Sequence, residues 1–303
     1  MSFRHVMPVV AVLFTSLLVS CTGSGGGEDV IVLINRQNSS GTYKYFQKRV
    51  LDDNDFKSNT KDQSGSQAVV DLVGNMPKAI GYSGMGYKTD KVKFLRIAAE
   101  KGSSGVLPSV ASTKDGSYPL TRPLQVYTKG QPQGAVAHYL QWILSAEGQE
   151  IVAAEGYGPL PPKPITAPPP AGDAAFQVTG SDTMLQLAQA WAAAYSEKFP
   201  DVKVQLTGGG SGVGIAGMID GSVDIANASR KMKSTEIAKA KQNGVDPKEF
   251  EVAKDALSVY VHKDNPLDTI TIADLAQIYG EDGKISTWQQ IDGYSKGNED
   301  PAP

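Results

Sequence analysis

The chain has 303 residues, which is long for one small domain and suits two, and its 40% of hydrophobic residues is typical of a globular protein. Its 29 lysines and arginines against 32 aspartates and glutamates give a net charge of −3, which argues against a nucleic-acid partner. A single cysteine excludes a disulfide framework, a cysteine zinc site and an iron–sulfur cluster, and three histidines leave little for a histidine metal centre. The composition therefore predicts a two-domain protein, without a metal or cofactor, that works through backbone amides, hydroxyls and a few charges.

The N-terminal segment has the features of a secretion signal. Arg4 supplies a positive start, and residues 9–19 form an apolar run that is too short to span a bilayer. The run ends in Leu-Val-Ser-Cys, which resembles a bacterial lipobox, so we predict a lipoprotein signal peptide over 1–20 and lipidation of Cys21. Residues 21–28 are glycine-rich and predict a flexible tether. We therefore expect an exported protein that is held at the cell envelope by a lipid anchor.

Strand and helix patterns alternate from Asp29 onward. An apolar run at 30–35 predicts a buried strand, and residues 134–156 have the spacing of one long amphipathic helix. This alternation predicts an α/β protein with largely parallel sheets. It is interrupted at 159–170, which contains seven prolines, so we predict a polyproline-type connector over 163–175 rather than a packed element.

Three places share one design, in which a strand leads through a short loop of Gly, Ser and Thr into a helix. They are residues 36–42, 180–183 and 208–212. A helix start offers unpaired N–H groups and a partial positive charge, and glycine lets the backbone approach a ligand closely. Each loop alone is better explained by ordinary helix capping. Because three occur together and one carries Arg36, the pattern favours a pocket for an oxyanion. Ser66 opens a similar helix, either as a cap or as a supporting contact.

Nucleotide-binding and hydrolase motifs would indicate a different function. Residues 212–217 match GxGxxG after a strand, but the acidic residue expected about 20 positions further on is missing. GxxxxGK[ST] does not occur, and with three histidines the chain offers little for a serine-hydrolase triad. We therefore expect no catalytic residues.

At these residues the chain resembles the phosphate-binding proteins of bacterial ABC phosphate importers. The resemblance extends over 29–162 and 176–303, and its most specific segments are NRQNSSGTYKYF, AIGYSGMGY, GYGPLPP, VTGSDTMLQL and GGGSGVGIAGMIDGSVDIANASR. Their order is inverted, because proteins of this kind normally begin with the TGSDT-like segment and end with the GYGPLPP-like one. The chain thus resembles a circular permutant in which 163–175 bridges the old termini.

The resemblance implies a two-lobed periplasmic-binding-protein clamp of the Venus-flytrap kind, type II-like and circularly permuted. Its two hinge strands match SYPLTRPLQVYT and DALSVYVHKD in this chain. Lobe I would then comprise 120–255, and lobe II would combine 29–119 with 256–303. The implied function is to bind inorganic phosphate between the lobes and deliver it to the transmembrane subunits of an ABC permease, as a monomer and without enzymatic activity.

The resemblance also implies the phosphate-binding residues. They come from the first loop, the Gly-rich loop and the other lobe, and are Thr183, Met184, Ser211, Arg36, Ser40, Gly41 and Thr42. Some members carry an Asp that accepts the proton of hydrogen phosphate where this chain has Arg230. Ser229 and Arg230 are therefore weaker candidates together with Ser66, and Asp182 is the candidate for the missing acceptor.

Two other functions stay open at this point. One is a phosphate-ester hydrolase that uses the same anion cradle, for which Ser40 is the best nucleophile. The other is a sensory or adhesion lipoprotein that keeps the fold without transport. Release of phosphate from a generic ester distinguishes the first, and a neighbouring gene for a permease argues against the second.

Overall fold

The computed structural model describes residues 29–295. The predicted signal peptide, Cys21 and the tether lie outside the described residues. The strands are β1 (Val32–Arg36), β2 (Lys61–Gln63), β3 (Ala79–Gly84), β4 (Val92–Phe94), β5 (Arg96–Ala98), β6 (Thr121–Lys129), β7 (Ala174–Gly180), β8 (Val202–Thr207), β9 (Ile225–Ala228), β10 (Pro247–His262) and β11 (Thr269–Thr271). The helices are α1 (Gly41–Val50), α2 (Ser66–Asn75), α3 (Val110–Lys114), α4 (Gly134–Ile143), α5 (Ala146–Ala154), α6 (Leu185–Lys198), α7 (Ser211–Asp220), α8 (Ser234–Gln242) and α9 (Ile272–Tyr279). Short 3-10 turns lie at Met85–Tyr87, Asp182–Met184 and Trp288–Gln290.

One mixed sheet runs through the molecule in the order β2-β1-β3-β10-β6-β9-β7-β8, and β4 also pairs with β10. Its two outer parts are parallel, since β1 pairs parallel with β2 and β3, and β7 pairs parallel with β8 and β9. The middle is antiparallel, because β10 runs against both β3 and β6, and β6 runs against β9. The α/β class is confirmed, but the expectation of largely parallel sheets is wrong at the centre.

The hydrophobic core divides where β6 and β10 pass through the middle of the sheet. On one side, buried residues come from the chain up to Leu120 and again from Ala256 onward. On the other side they come from Leu124 to Ala253. Each part has its own core, and the 16-residue strand β10 contributes to both. The division falls near the predicted lobe boundaries at 120 and 255, which stay a prediction.

The described ends of the chain lie side by side. The Ile31 N–H donates to the Ser286 carbonyl at 2.8 Å, and the Trp288 N–H donates to the Asp29 carbonyl at 3.0 Å. Adjacent ends are what a circular permutation requires. The permuted order itself stays a prediction.

The predicted long helix over 134–156 is two helices. α4 ends before Leu144, and Ser145 caps α5 by accepting a hydrogen bond from the Gly148 N–H on its hydroxyl. A serine that caps a new helix interrupts a helical pattern that spacing alone reads as continuous. Within residues 29–295, no helix is long and apolar enough to cross a membrane.

Candidate functional site

Two of the predicted anion loops face each other from opposite sides of the core division. The hydroxyls of Thr42 and Thr183 are 2.7 Å apart, and Arg36 Nη2 donates to Asp182 Oδ2 at 2.9 Å. All four residues are buried. Segments more than 140 positions apart in sequence thus form one polar cluster, which we call the central cluster.

The start of α1 brings the first set of donors to this cluster. β1 ends at Arg36, and Ser40 caps the helix by accepting hydrogen bonds on its hydroxyl from the N–H groups of Thr42 at 3.1 Å and Tyr43 at 3.4 Å. The first amides of α1 and the side chain of Thr42 therefore lie beside the cluster. Because the Ser40 hydroxyl serves as a cap, it is poorly placed to act as the nucleophile of a hydrolase.

A second set of donors comes from the turn after β7 and the start of α7. Gly180 ends β7 with a φ of 142°, and a Cβ there would lie 2.1 Å from the Asn227 carbonyl oxygen, so this close approach requires glycine. Ser211 opens α7 and accepts a hydrogen bond from the Ser229 N–H at 3.0 Å. Both serines are fully buried, and a Cβ on Gly41 would come within 2.4 Å of their hydroxyls. The two lobes are therefore in close contact here.

Arg36 is fully buried and held from three sides. Besides Asp182, it donates to the Ser66 hydroxyl at 3.0 Å and the Ser64 carbonyl at 3.3 Å. Burial lowers the pKa of the Arg36 guanidinium from its ordinary value, and attraction by the Asp182 carboxylate opposes that change. Ser66 is thus a supporting contact of Arg36, and the residue that precedes it, Gly65, occupies the cap position of α2.

Asp182 accepts a hydrogen bond on each carboxylate oxygen. Oδ2 accepts from Arg36, and Oδ1 accepts from the Gly209 N–H at 2.9 Å. The backbone carbonyl of Asp182 accepts from the Tyr87 hydroxyl. Each carboxylate oxygen has a further lone pair, so the group retains the capacity to accept a proton-bearing ligand oxygen.

Sequence reasoning missed a buried ion pair in the central cluster. Arg122 on β6 lies directly opposite Asp255 on β10, and its Nε and Nη2 donate to Asp255 Oδ2 at 3.0 and 2.8 Å. Nη2 also donates to the hydroxyls of Thr42 at 3.0 Å and Thr183 at 3.4 Å. The sequence contains a signal for this pair. Each charged residue lies within an apolar strand, and a buried charge requires a partner of opposite charge.

The remaining predicted residues have other partners. Arg230 is partly buried and makes a bidentate contact with Glu236, with both N–O distances at 2.8 Å. Met184 is buried, and its N–H donates to the Ser181 carbonyl at 3.0 Å. The Ser181 hydroxyl and Arg36 Nε are buried without a hydrogen-bond partner.

The chemistry of the central cluster is that of anion recognition. It brings the guanidiniums of Arg36 and Arg122 together with the hydroxyls of Thr42 and Thr183, and all of these groups can donate hydrogen bonds to an anion. In the part of the chain from 29 to 295, no group of three or more His, Cys, Asp or Glu side chains is placed to hold a metal ion.

Comparison with known proteins gives a family and several relatives. The model of the PBP superfamily domain matches residues 22–147 and 166–302. The phosphate-binding protein PstS of Pseudomonas aeruginosa is 39% identical over 137 residues, which is 44% of this chain. The chain spans only 42% of the length of that relative. The phosphate-binding protein PstS 2 of Streptococcus agalactiae is 28% identical over 299 residues, covering 94% of this chain and 97% of the relative.

A solved structure gives the same picture. The phosphate-binding protein of a phosphate ABC transporter from Streptococcus pneumoniae TIGR4 superposes with a TM-score of 0.65 at 25% sequence identity. The superposition covers 86% of this chain and 99% of that structure.

Proposed function

The chain belongs to the PBP superfamily, and on that basis we propose that it binds one inorganic phosphate between its lobes and delivers it to an ABC permease for import. Relatives named as phosphate-binding proteins support this proposal. The observation that carries it is the central cluster, where Arg36 and the hydroxyls of Thr42 and Thr183 converge from both sides of the core division.

The physical reason for a site between two lobes is the cost of burying a divalent anion. Such an ion is costly to remove from water unless many donors converge on it. Here lobe II supplies Arg36 and Thr42, and lobe I supplies Thr183, Ser211 and the start of α7. Because neither lobe holds the full set of donors, we propose that the ligand favours closure by bridging the two.

The arrangement of the lobes and the location of the protein belong to the same proposal. Lobe I is 120–255, lobe II joins 29–119 to 256–303, and β6 and β10 are the hinge strands. The protein is exported and acts as a monomer at the envelope, anchored through a lipid on Cys21. The divided core supports the lobes, and a lipobox-like sequence supports the anchor.

Isothermal titration calorimetry on the chain without its signal peptide tests the function. Phosphate is expected to bind as one ion per chain, and arsenate, with the same charge and shape, is expected to compete. Absence of binding heat with phosphate at micromolar protein would contradict the proposal. Release of phosphate from a generic ester would favour a hydrolase instead.

Asp182 is expected to determine the preference for phosphate over sulfate. Hydrogen phosphate brings a proton that needs an acceptor and sulfate brings none, so a buried carboxylate should favour phosphate by about a hundredfold or more at pH 7. Asp182→Asn should remove most of this preference, because the amide can turn a donor toward sulfate. Competition titrations at pH 6 and pH 8 measure it.

The matched control for this substitution is Asp246→Asn, which changes an exposed carboxylate of lobe I that pairs with Lys248. It should leave the preference unchanged. Strong phosphate selectivity that survives Asp182→Asn would place the acceptor on another residue.

The proline-rich bridge is expected to be dispensable for binding. Upstream it is tied to α4, where Gln141 Oε1 accepts from the N–H groups of Thr166 at 2.7 Å and Ala167 at 2.8 Å, and downstream it leads into β7. Since β7 pairs with two other strands, cleavage within 168–173 should leave both fragments in one particle. Co-elution of the fragments and phosphate titration of the complex test this. Fragments that separate would show the bridge to be structural.

A further inference from the structure

We propose that Arg122 is a positioning residue of the anion site. Fixed on the hinge strands by Asp255, it holds the oxygen atoms of Thr42 and Thr183 so that both hydroxyls donate their protons to the bound anion. This inference rests on the proposed function, and it assigns a role to a residue pair that sequence reasoning missed.

The first observation is the position of the ion pair. Arg122 and Asp255 are cross-strand partners in β6 and β10, at the place where the hydrophobic core divides. Their side chains are 1% and 0% exposed. A group on the hinge is displaced least when two lobes rotate, so Arg122 can contact residues of both lobes throughout closure.

The second observation is that the guanidinium is fixed on several sides. Nε and Nη2 donate to Asp255 Oδ2, Nη1 donates to the Ser229 carbonyl at 3.3 Å, and Asp255 Oδ1 accepts from the Met85 N–H at 3.2 Å. These contacts hold the Arg122 guanidinium in one orientation. Because Asp255 balances its charge, the pair adds direction to the site rather than net charge.

The third observation is the direction of the hydrogen bonds to the threonines. A guanidinium is only a donor. One hydrogen of Nη2 is directed at Asp255 Oδ2, so Thr42 Oγ1 at 3.0 Å and Thr183 Oγ1 at 3.4 Å share the other as acceptors. The single proton of each hydroxyl then points to another partner. In this structure the two hydroxyls are 2.7 Å apart, so one donates to the other. An anion oxygen that enters between them receives both protons.

A double-mutant cycle tests the inference. The variant combines Arg122→Met with Asp255→Asn, which removes the contact without leaving a lone buried charge. Calorimetry with inorganic phosphate should show affinity reduced about tenfold or more. In a Thr42→Val background, or a Thr183→Val background, the same pair of substitutions should cost clearly less, because the hydroxyl that Arg122 orients is gone. A purely structural role predicts equal losses in all backgrounds.

Arg122→Lys is a second variant that keeps a positive charge beside Asp255. Its single ammonium group lacks the planar fork of a guanidinium, so it cannot hold Asp255 and both threonines in the same geometry. It should weaken phosphate binding while the thermal unfolding temperature without ligand stays near that of the wild type. Additive losses in the cycle, or unchanged affinity in the Lys variant, would overturn the role of Arg122. Wild-type protein that binds no phosphate would overturn the proposed function as well, so the two failures are distinguishable.

Discussion

Replacing Arg36 with alanine is expected to weaken phosphate binding by about 2–5 kcal/mol, the largest effect of any single substitution in the site. Arg36 is fully buried, and it reaches across to lobe I by donating to Asp182. Its removal leaves the Asp182 carboxylate buried without its cation, facing the incoming anion. Both consequences disfavour a bound dianion, and calorimetry with phosphate measures their sum.

Two further variants separate charge from geometry in this experiment. Arg36→Lys keeps the positive charge but cannot bind Ser66, Ser64 and Asp182 together, so it should recover only part of the affinity. Arg96→Ala removes an exposed arginine of lobe II and should leave affinity unchanged. A loss below about 0.5 kcal/mol for Arg36→Ala would show that Arg36 does not bind the ligand.

Gly41→Ala is expected to prevent full closure of the clamp. The added Cβ would lie 2.3 Å from Ser211 Oγ and 2.4 Å from Ser229 Oγ, closer than real Cβ contacts. Both serines are fully buried and hydrogen-bonded to each other, so displacing their side chains is energetically costly. Overpacking of this kind costs about 1–3 kcal/mol, and here the cost falls on the closed form alone. Phosphate affinity should fall accordingly while the unfolding temperature without ligand changes little.

Gly65→Ala is the matched control, since a Cβ there meets no atom within 4 Å although the residue adjoins Ser66. The phosphate affinity of Gly65→Ala should stay within about twofold of the wild-type value. Loss of glycine from the cap position of α2 should lower helix stability only slightly. X-ray scattering with and without phosphate adds a second readout, because Gly41→Ala should show less compaction on binding. Full compaction in that variant would mean that the lobes do not meet at Gly41.

The loops of the site were predictable because local chemistry marks them. Arg36 follows a buried strand, Ser40 caps the next helix and Gly180 permits a close backbone approach, all within short stretches of sequence. Arg122 and Asp255 are 133 positions apart in the sequence. The sequence around either residue does not identify the other as its partner. Arg230 is a different case, because its partner Glu236 lies only six positions further along the chain, at the start of α8.

The antiparallel centre of the sheet has a similar explanation. Alternating strands and helices predict parallel neighbours when each strand returns to the same edge. β10 instead passes from one lobe into the other, and its N-terminal part pairs antiparallel with β6. Hydrophobic periodicity identifies such strands but does not show that β10 contributes to two cores at once.

The shared strand β10 makes the two lobes dependent on each other for stability. Its N-terminal half pairs with β6 and its C-terminal half with β3 and β4, so each core borrows part of its sheet from the same 16 residues. If one lobe lost its packing, β10 would lose partners that the other lobe also needs. We therefore expect the two parts of the described chain to unfold cooperatively, in a single transition.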